Sequence, residues 1–492
     1  MKKRLPYTLL FVIIAMGVMM GLLRPYLLET AQLTPFFTTK VFAQEMMSQH
    51  TWGFILYAAS FLQSCFAKPW LGASLLVAML IAIAYTTRWA FRLSNDLFGL
   101  CWIVPFLLLA RYTHMGYMIY VSKDVAIAFT WPLAILLILL GLGLIVEGLR
   151  ASVRRPKGFR QKAKGLSQKP KGLSRTFLCL SFIVFLGSAY WLWQQTYKDK
   201  NFLCSLQMKQ ATEQSDWEQV IRLARENRQE PTRLQVCLTR LALFKTGQMG
   251  NQLFAFTDGS APYNAPEQQQ WLRLMGAQLL YYHYGKPGFA YRWAMEDLVE
   301  YGERPMYLRM LHRVAQLNGE TALTEKYAEA LRHTLFYKDD TEVIRKEAEA
   351  IKPLLNYTDQ LDGDNGLIEF YILQSFASTE GGSREMVELS LMCCLITKQL
   401  DGFWPRFLAL MPVWQGNIPV HYQEAALMVA QLQGGIDITD LPIDPQVRQR
   451  FERLVEASAQ MGDSASNAYS LRPEFGDTYW YYYFFVEGLK TT

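Results

Sequence analysis

Residues 268–302 read QQQWLRLMGAQLLYYHYGKPGFAYRWAMEDLVEYG, two apolar-periodic segments on either side of Gly285. Trp271, Leu272, Leu274, Met275, Leu279 and Leu280 recur every three to four residues, the period of a helix with one buried face. The pattern predicts an apolar helix, a glycine-centred turn and a second helix. Residues 306–335, MYLRMLHRVAQLNGETALTEKYAEALRHTL, repeat that order around Gly319. Upstream, Asp216 is a predicted N-cap ahead of Trp217, Val220, Ile221 and Ala224. Pro231 is expected to open the next helix, through Val236, Leu238, Leu241 and Phe244 to Gly247.

Gly247, Gly285 and Gly319 lie 38 and 34 residues apart, a spacing at which helical hairpins stack into a solenoid. The central unit resembles the tetratricopeptide family. Tyr281 and Tyr282 occupy its aromatic sites before the turn, Gly285 its turn glycine and Ala290 the small position where two helices touch. It departs from that pattern where Leu274 takes the usual tryptophan position and the early glycine is missing. The resemblance implies a concave surface that binds a peptide or protein. Trp271, Tyr281, Tyr284 and Tyr291 are its candidate lining residues, although helical spacing explains them mostly as core.

Beyond residue 353 helices are predicted at 366–378, 384–400, 402–412, 419–432 and 444–460, making 353–492 a further helical domain after repeats at 196–352. The acids of LDGDNG (361–366) suggest a calcium loop, but no glutamate follows at the required spacing, so Asp362 and Asp364 read as a capped turn. Seven consecutive aromatics, 479–485, close the region. Docking against the helical domain best explains them, because so large an apolar surface invites association if left exposed. Tyr479 and Trp480 are the candidates there for a binding role at a membrane interface or a sugar.

The first 195 residues are of another kind. Charge-poor apolar runs at 5–23, 71–87, 97–113, 125–146 and 176–194 are each long enough to cross about 30 Å of hydrocarbon. A sixth run, 51–67, carries Ser60, Gln63 and Ser64 among aromatics and reads as an interfacial helix. The chain's modest +6 divides into +15 before residue 195 and −9 from there on. Ten Lys/Arg lie between Arg150 and Arg175, so loop 147–175 is expected on the cytoplasmic side. Five spans then put 15 basic residues inside and 5 outside, leaving everything after Trp193 outside the cytoplasm. Glycine, proline and serine interrupt the loop and no aromatic platform accompanies it, which speaks for lipid and against nucleic acid.

The expected fold class is therefore all-α, an N-terminal transmembrane helix bundle followed by a tetratricopeptide-like α-solenoid. Trp70-Leu71-Gly72-Ala73, Gln423-Glu424-Ala425 and the run from Asp477 to Tyr483 resemble a bacterial family of multi-spanning membrane proteins of unknown function. The order of parts implies a bacterial inner-membrane protein with an extracytoplasmic domain that binds an envelope protein or peptide. Scattered histidines, the lack of Cys-x-x-Cys and the lack of a phosphate-binding glycine motif give no reason to expect a metal or cofactor. Cys204 and Cys237 are either a disulfide or, more commonly for isolated cysteines, buried thiols.

The 45-residue loop after the first span, followed by an interfacial helix, is also similar to the lipid-linked sugar transferases of the GT-C type. That resemblance implies an essential aspartate in the loop, but residues 24–70 contain no Asp, which leaves Glu29 and Glu45 as the only candidates. Arg111, His114, Lys123 and Asp124 surround one predicted outer turn, as a polar site or, preferably, as solvated helix ends.

Overall fold

The computed structural model describes residues 4–122, 126–152, 171–336, 341–355, 366–434, 436–460 and 466–487. Among them the chain is all-α, with one isolated bridge between Phe37 and Thr334 and no strand. Lys123, Asp124, most of the basic loop and the Asp362/Asp364 turn lie outside the described residues. Two compact units form: Met1–Leu203 with Tyr301–Arg309 and Lys326–Asp339, and Cys204–Glu300 with Met310–Glu325 and Asp340–Thr492.

The first unit begins with α1 (Leu5–Met16), which continues as π-helix to Leu22, α2 (Arg24–Leu33), α3 (Lys40–Gln49), α4 (Gly53–Ser64) and α5 (Pro69–Phe91). It goes on with α6 (Ile103–Thr113), α7 (Met118–Val121), α8 (Thr130–Ser152) and α9 (Lys171–Gln195). Among the described residues, five helices are long and apolar enough to cross a membrane: Leu5–Leu22, Pro69–Phe91, Asn95–Thr113, Thr130–Arg150 and Arg175–Gln195. They coincide with the five predicted runs, except that the fourth starts at Thr130, after turns at Ala126–Phe129. The third opens as 3-10 helix, Asn95–Trp102, and becomes α-helical two residues before Pro105, whose missing N–H is harmless in a first turn. Aromatic rings fill the interior. Phe11 meets Trp102 at 4.6 Å and Phe106 at 5.2 Å between ring centres, and Phe185 meets Phe106 at 5.2 Å. Gly99 permits α9 to come this close, since a Cβ there would sit 2.1 Å from the Ser181 carbonyl oxygen.

The second unit is built from α10 (Lys200–Glu213), α11 (Trp217–Glu226), α12 (Arg233–Lys245), α13 (Met249–Gln252), α14 (Pro266–His283) and α15 (Pro287–Tyr301). Then come α16 (Pro305–Leu317) and α17 (Thr321–Arg332), of which residues up to Arg309 and from Lys326 belong to the first unit, and α18 (Thr341–Ile351), α19 (Ile368–Ala377), α20 (Arg384–Ile396) and α21 (Phe403–Trp414). The last are α22 (Val420–Gln433), α23 (Pro445–Gln460), α24 (Ser466–Phe475) and α25 (Tyr479–Phe485). Consecutive helices pack on one another, as in a solenoid.

The three marked glycines share one turn. Gly247, Gly285 and Gly319 all have φ between 66° and 74°, and the residue after each donates its N–H back to Leu243, Tyr281 and Ala315, at 2.8–2.9 Å. This is the left-handed cap that ends a helix and releases the chain for the next. The same bonds recur at Ser215 and Lys398, with φ of 55° and 60°, where no glycine marks them in the sequence. The cap at Lys398 stops α20 at Ile396, short of the predicted residue 400. Pro231 does not open α12. Thr232 does, in a reciprocal capping box with Gln235, because a hydroxyl satisfies a free N–H of the first turn and a proline cannot.

Candidate functional site

Arg233 and Arg240 lie seven residues apart on α12, two helical turns, and so project from one face. Both are buried, as is Glu369 on α19, which they share. Arg233 donates from Nε to Glu369 Oε2 at 2.8 Å and from Nη2 to Oε1, and Arg240 donates from Nη1 to the same Oε1 at 2.6 Å. Asp258, in the loop after α13, completes the group: its carboxylate accepts from Arg240 and its carbonyl from Arg233 Nη1 at 2.5 Å. Two cations and two anions thus cancel inside the unit. Burial on its own raises Glu369, but the two guanidiniums outweigh it and hold the carboxyl below its ordinary range. Burial also pushes the neighbouring Cys237 thiol well up, leaving it unreactive.

Above this quartet the surface opens. Arg240, Asp258 and Tyr482 border a cavity of about 60 Å³. A wider groove of about 910 Å³ runs between the 254–263 loop and the C-terminal helices, lined by Arg233, Asp258, Tyr263, Tyr469, Tyr481 and Phe485. Glu230, Arg472 and Asp477 add charges of both signs to its walls.

Helix α25 forms one wall and is held at both ends. Thr478 caps its start by accepting from Tyr481 N–H. Glu424 Oε2 accepts the Tyr479 N–H at 2.8 Å, and the Glu424 carbonyl accepts Trp480 Nε1–H at 2.7 Å. Lys398 donates to the carbonyls of Tyr483 and Val486 at 2.9 and 2.6 Å, a cation at a helix C-terminus. Tyr482 donates to the Ile396 carbonyl at 2.7 Å. His421 Nδ1 lies 2.9 Å from Glu424 Oε2, which fixes that carboxylate.

The six aromatic candidates fall elsewhere. Tyr281 and Tyr284 are buried, Tyr281 stacked on Phe289 at 4.9 Å, and Trp271 and Tyr291 are half-buried on α14 and α15. Tyr479, Trp480, Tyr481 and Tyr482 of α25 are all buried, and of these Tyr481 and Tyr482 reach the groove, with Phe485 beside them. Of the carboxylates proposed for a transferase, Glu29 is buried and accepts from Tyr120 Oη at 2.6 Å, whereas Glu45 is exposed and accepts from Gln49 at 2.9 Å. Arg111 lies over the Trp131 ring at 4.9 Å, and His114 Nδ1 is 2.9 Å from the Gln195 carbonyl oxygen, so both tie helix ends together. The seven cysteines are free thiols, Cys237 buried and Cys204 half-buried. No cluster of three or more His, Cys, Asp or Glu suited to a metal occurs among the described residues.

Arg233, Arg240, Asp258 and Glu369 escaped the sequence reading, although a signal existed. In RLQVCLTRLALFK two arginines sit seven apart among apolar residues, where a solvated helix face would carry more polar neighbours. Comparison with known proteins adds a family and no activity. No curated protein and no solved structure matches the chain. The model of a family of unknown function, DUF6057, matches residues 123–486, and the chain belongs to that family.

Proposed function

We propose that this is a bacterial inner-membrane protein whose second unit, a tetratricopeptide-like solenoid on the extracytoplasmic side, binds an extended segment of an envelope protein. The groove carries this reading. Its aromatic walls suit apolar side chains, while Glu230, Arg472 and Asp477 offer charges of both signs at its walls. The buried ion quartet beneath it makes the floor rigid. The charge asymmetry of the sequence, +15 before residue 195 and −9 after, supports the orientation.

Ser260 lies on the groove loop, which makes one substitution serve two tests. In intact cells with a permeabilised outer membrane, Ser260→Cys is expected to react with a membrane-impermeant maleimide; protection until the inner membrane is broken overturns the orientation. A photo-crosslinking residue at Tyr469 is expected to join a discrete protein partner, and the same residue at the exposed Val299 is not. Equal or absent products at both positions overturn the groove as the binding surface. The transferase alternative rests on Glu29 and Glu45 alone. Unchanged envelope glycans in a Glu29→Gln, Glu45→Gln double variant remove it.

A further inference from the structure

Helix α4 is inside out. Its buried face carries the polar residues Ser60, Gln63 and Ser64 beside Ile55 and Ala59, while Phe54 and Phe61 are 68% and 42% exposed. Trp52, just ahead of the helix, is 60% exposed. A helix bathed by water has the opposite arrangement. Gln63 and Ser64 are engaged, whereas the Ser60 hydroxyl finds no partner among the described residues. Gln63 donates to Thr34 Oγ1 at 2.9 Å and accepts from the Ala128 N–H at 3.0 Å, and Ser64 donates to the Phe61 carbonyl at 2.7 Å. That is how a helix in hydrocarbon behaves, with polar side chains turned to protein and apolar ones to lipid.

Helix α3 is different: Val41 and Met47 are exposed on it, but so are Gln44, Glu45 and Ser48, and the residue it buries is Met46. The pair is a tight hairpin: a Cβ at Gly53 would lie 2.3 Å from the Met46 carbonyl oxygen, and Phe42 packs on Tyr57 at 6.3 Å between ring centres. Twelve residues make α4 about 18 Å long, little more than half the roughly 30 Å a span needs. The apolar surface also leads toward one of the five long apolar helices, because the turn Cys65–Ala67 runs into α5, whose exposed Trp70 stands in its first turn.

We infer that α4, braced by α3, is a half-depth membrane element, its Trp52, Phe54 and Phe61 side immersed among the acyl chains of the outer leaflet. This rests on the membrane reading of the five apolar helices. The hairpin widens the footprint of the first unit in one leaflet only and anchors the loop between the first two spans without crossing the bilayer.

Spin labels at Phe54→Cys and Phe61→Cys, in the full chain with Cys179→Ala and Cys204→Ala, test it in vesicles of 3:1 phosphatidylcholine to phosphatidylglycerol. Ile183→Cys on α9 serves as the span reference and Val299→Cys as the aqueous one, both side chains being exposed. Labels at 54 and 61 are expected to relax with oxygen far more than with a nickel chelate, as the label at 183 does. Relaxation like that at 299, with 183 still oxygen-accessible, overturns the inference and leaves the membrane reading standing. Nickel access at 183 itself overturns both. As a second measurement without labels, lipids brominated on their acyl chains are expected to quench wild-type fluorescence by a component that Trp52→Phe removes. An unchanged quenchable share overturns the immersion of Trp52.

Discussion

Helices α4 and α11 are close in length and opposite in polarity. The first buries Ser60, Gln63 and Ser64 and exposes phenylalanine; the second buries Val220 and Ile221 and exposes Glu218, Arg222 and Arg225. The difference teaches what solvent each helix is built for, because the face a helix hides is the one its surroundings reject. It also changes what a buried polar group is worth. In the second unit a buried charge must be matched within protein, as Glu369 is by two arginines. In the first, the buried polar groups of α4 are neutral, and Gln63 links neighbouring segments.

The largest effect is expected from Glu369→Gln, which leaves Arg233 and Arg240 buried without their shared anion. Breaking such a pair costs about 3–5 kcal/mol. Thermal unfolding of the full chain, followed by tryptophan fluorescence in detergent, should show a large drop in midpoint. A drop no greater than that of an exposed control such as Glu218→Gln shows that the quartet does not carry the second unit.

Next are the turn glycines, which have similar backbone angles and different neighbours. At Gly285 an added Cβ meets the Leu354 carbonyl oxygen at 2.5 Å, while at Gly319 it meets nothing within 4 Å. Gly319→Ala is expected to cost about 1–2 kcal/mol, the penalty of a left-handed Cβ. Gly285→Ala adds a clash with backbone and should cost at least about 1 kcal/mol more. Equal losses at the two positions show that Leu354 gives way.

These turns also show what the sequence discloses. Gly247, Gly285 and Gly319 announce three caps, because glycine is the usual residue at positive φ. Ser215 and Lys398 make the same cap unannounced, since tertiary contacts hold them there: Ser215 donates to Glu347 at 2.8 Å and Lys398 to α25. The five helices long and apolar enough to cross a membrane were legible for a similar reason, as fitness to cross hydrocarbon constrains composition residue by residue. The groove was not, because Arg233, Asp258 and Glu369 come together across 136 residues of chain, and the arginine spacing on α12 names neither acid that meets it.

Within the first unit, Gln63→Leu removes the bonds to Thr34 Oγ1 and from the Ala128 N–H, while the Thr34 hydroxyl keeps its bond to the Thr30 carbonyl. A loss of about 1–2 kcal/mol is expected, well below that at Glu369, because polar links among membrane helices average under about 1 kcal/mol each. A loss matching that of Glu369→Gln would erase the contrast between the two regions.

The smallest effect is a pH dependence confined to the second unit. His283 is buried, and burial, reinforced by Lys245 and Arg313, holds its imidazole well below the ordinary value of 6.5. The folded chain therefore keeps it neutral while the unfolded chain takes up a proton below about pH 6.5. Its contribution is complete above that pH and is lost progressively as pH falls, by about 0.8 kcal/mol between pH 7.5 and 6. Asp297, raised to about 6 by burial, acts in the opposite sense, gaining stability as pH falls from about 6 toward 4, so the absolute curve mixes the two. Comparing wild type with His283→Gln separates them, since Gln retains an N–H for the Thr212 carbonyl and cannot titrate. The variant should lose less stability than wild type on going from pH 7.5 to 6, with the two curves parallel above pH 7.5. Parallel curves throughout would mean that the folded chain protonates His283 as readily as the unfolded one, and that the second unit admits water where its packing excludes it.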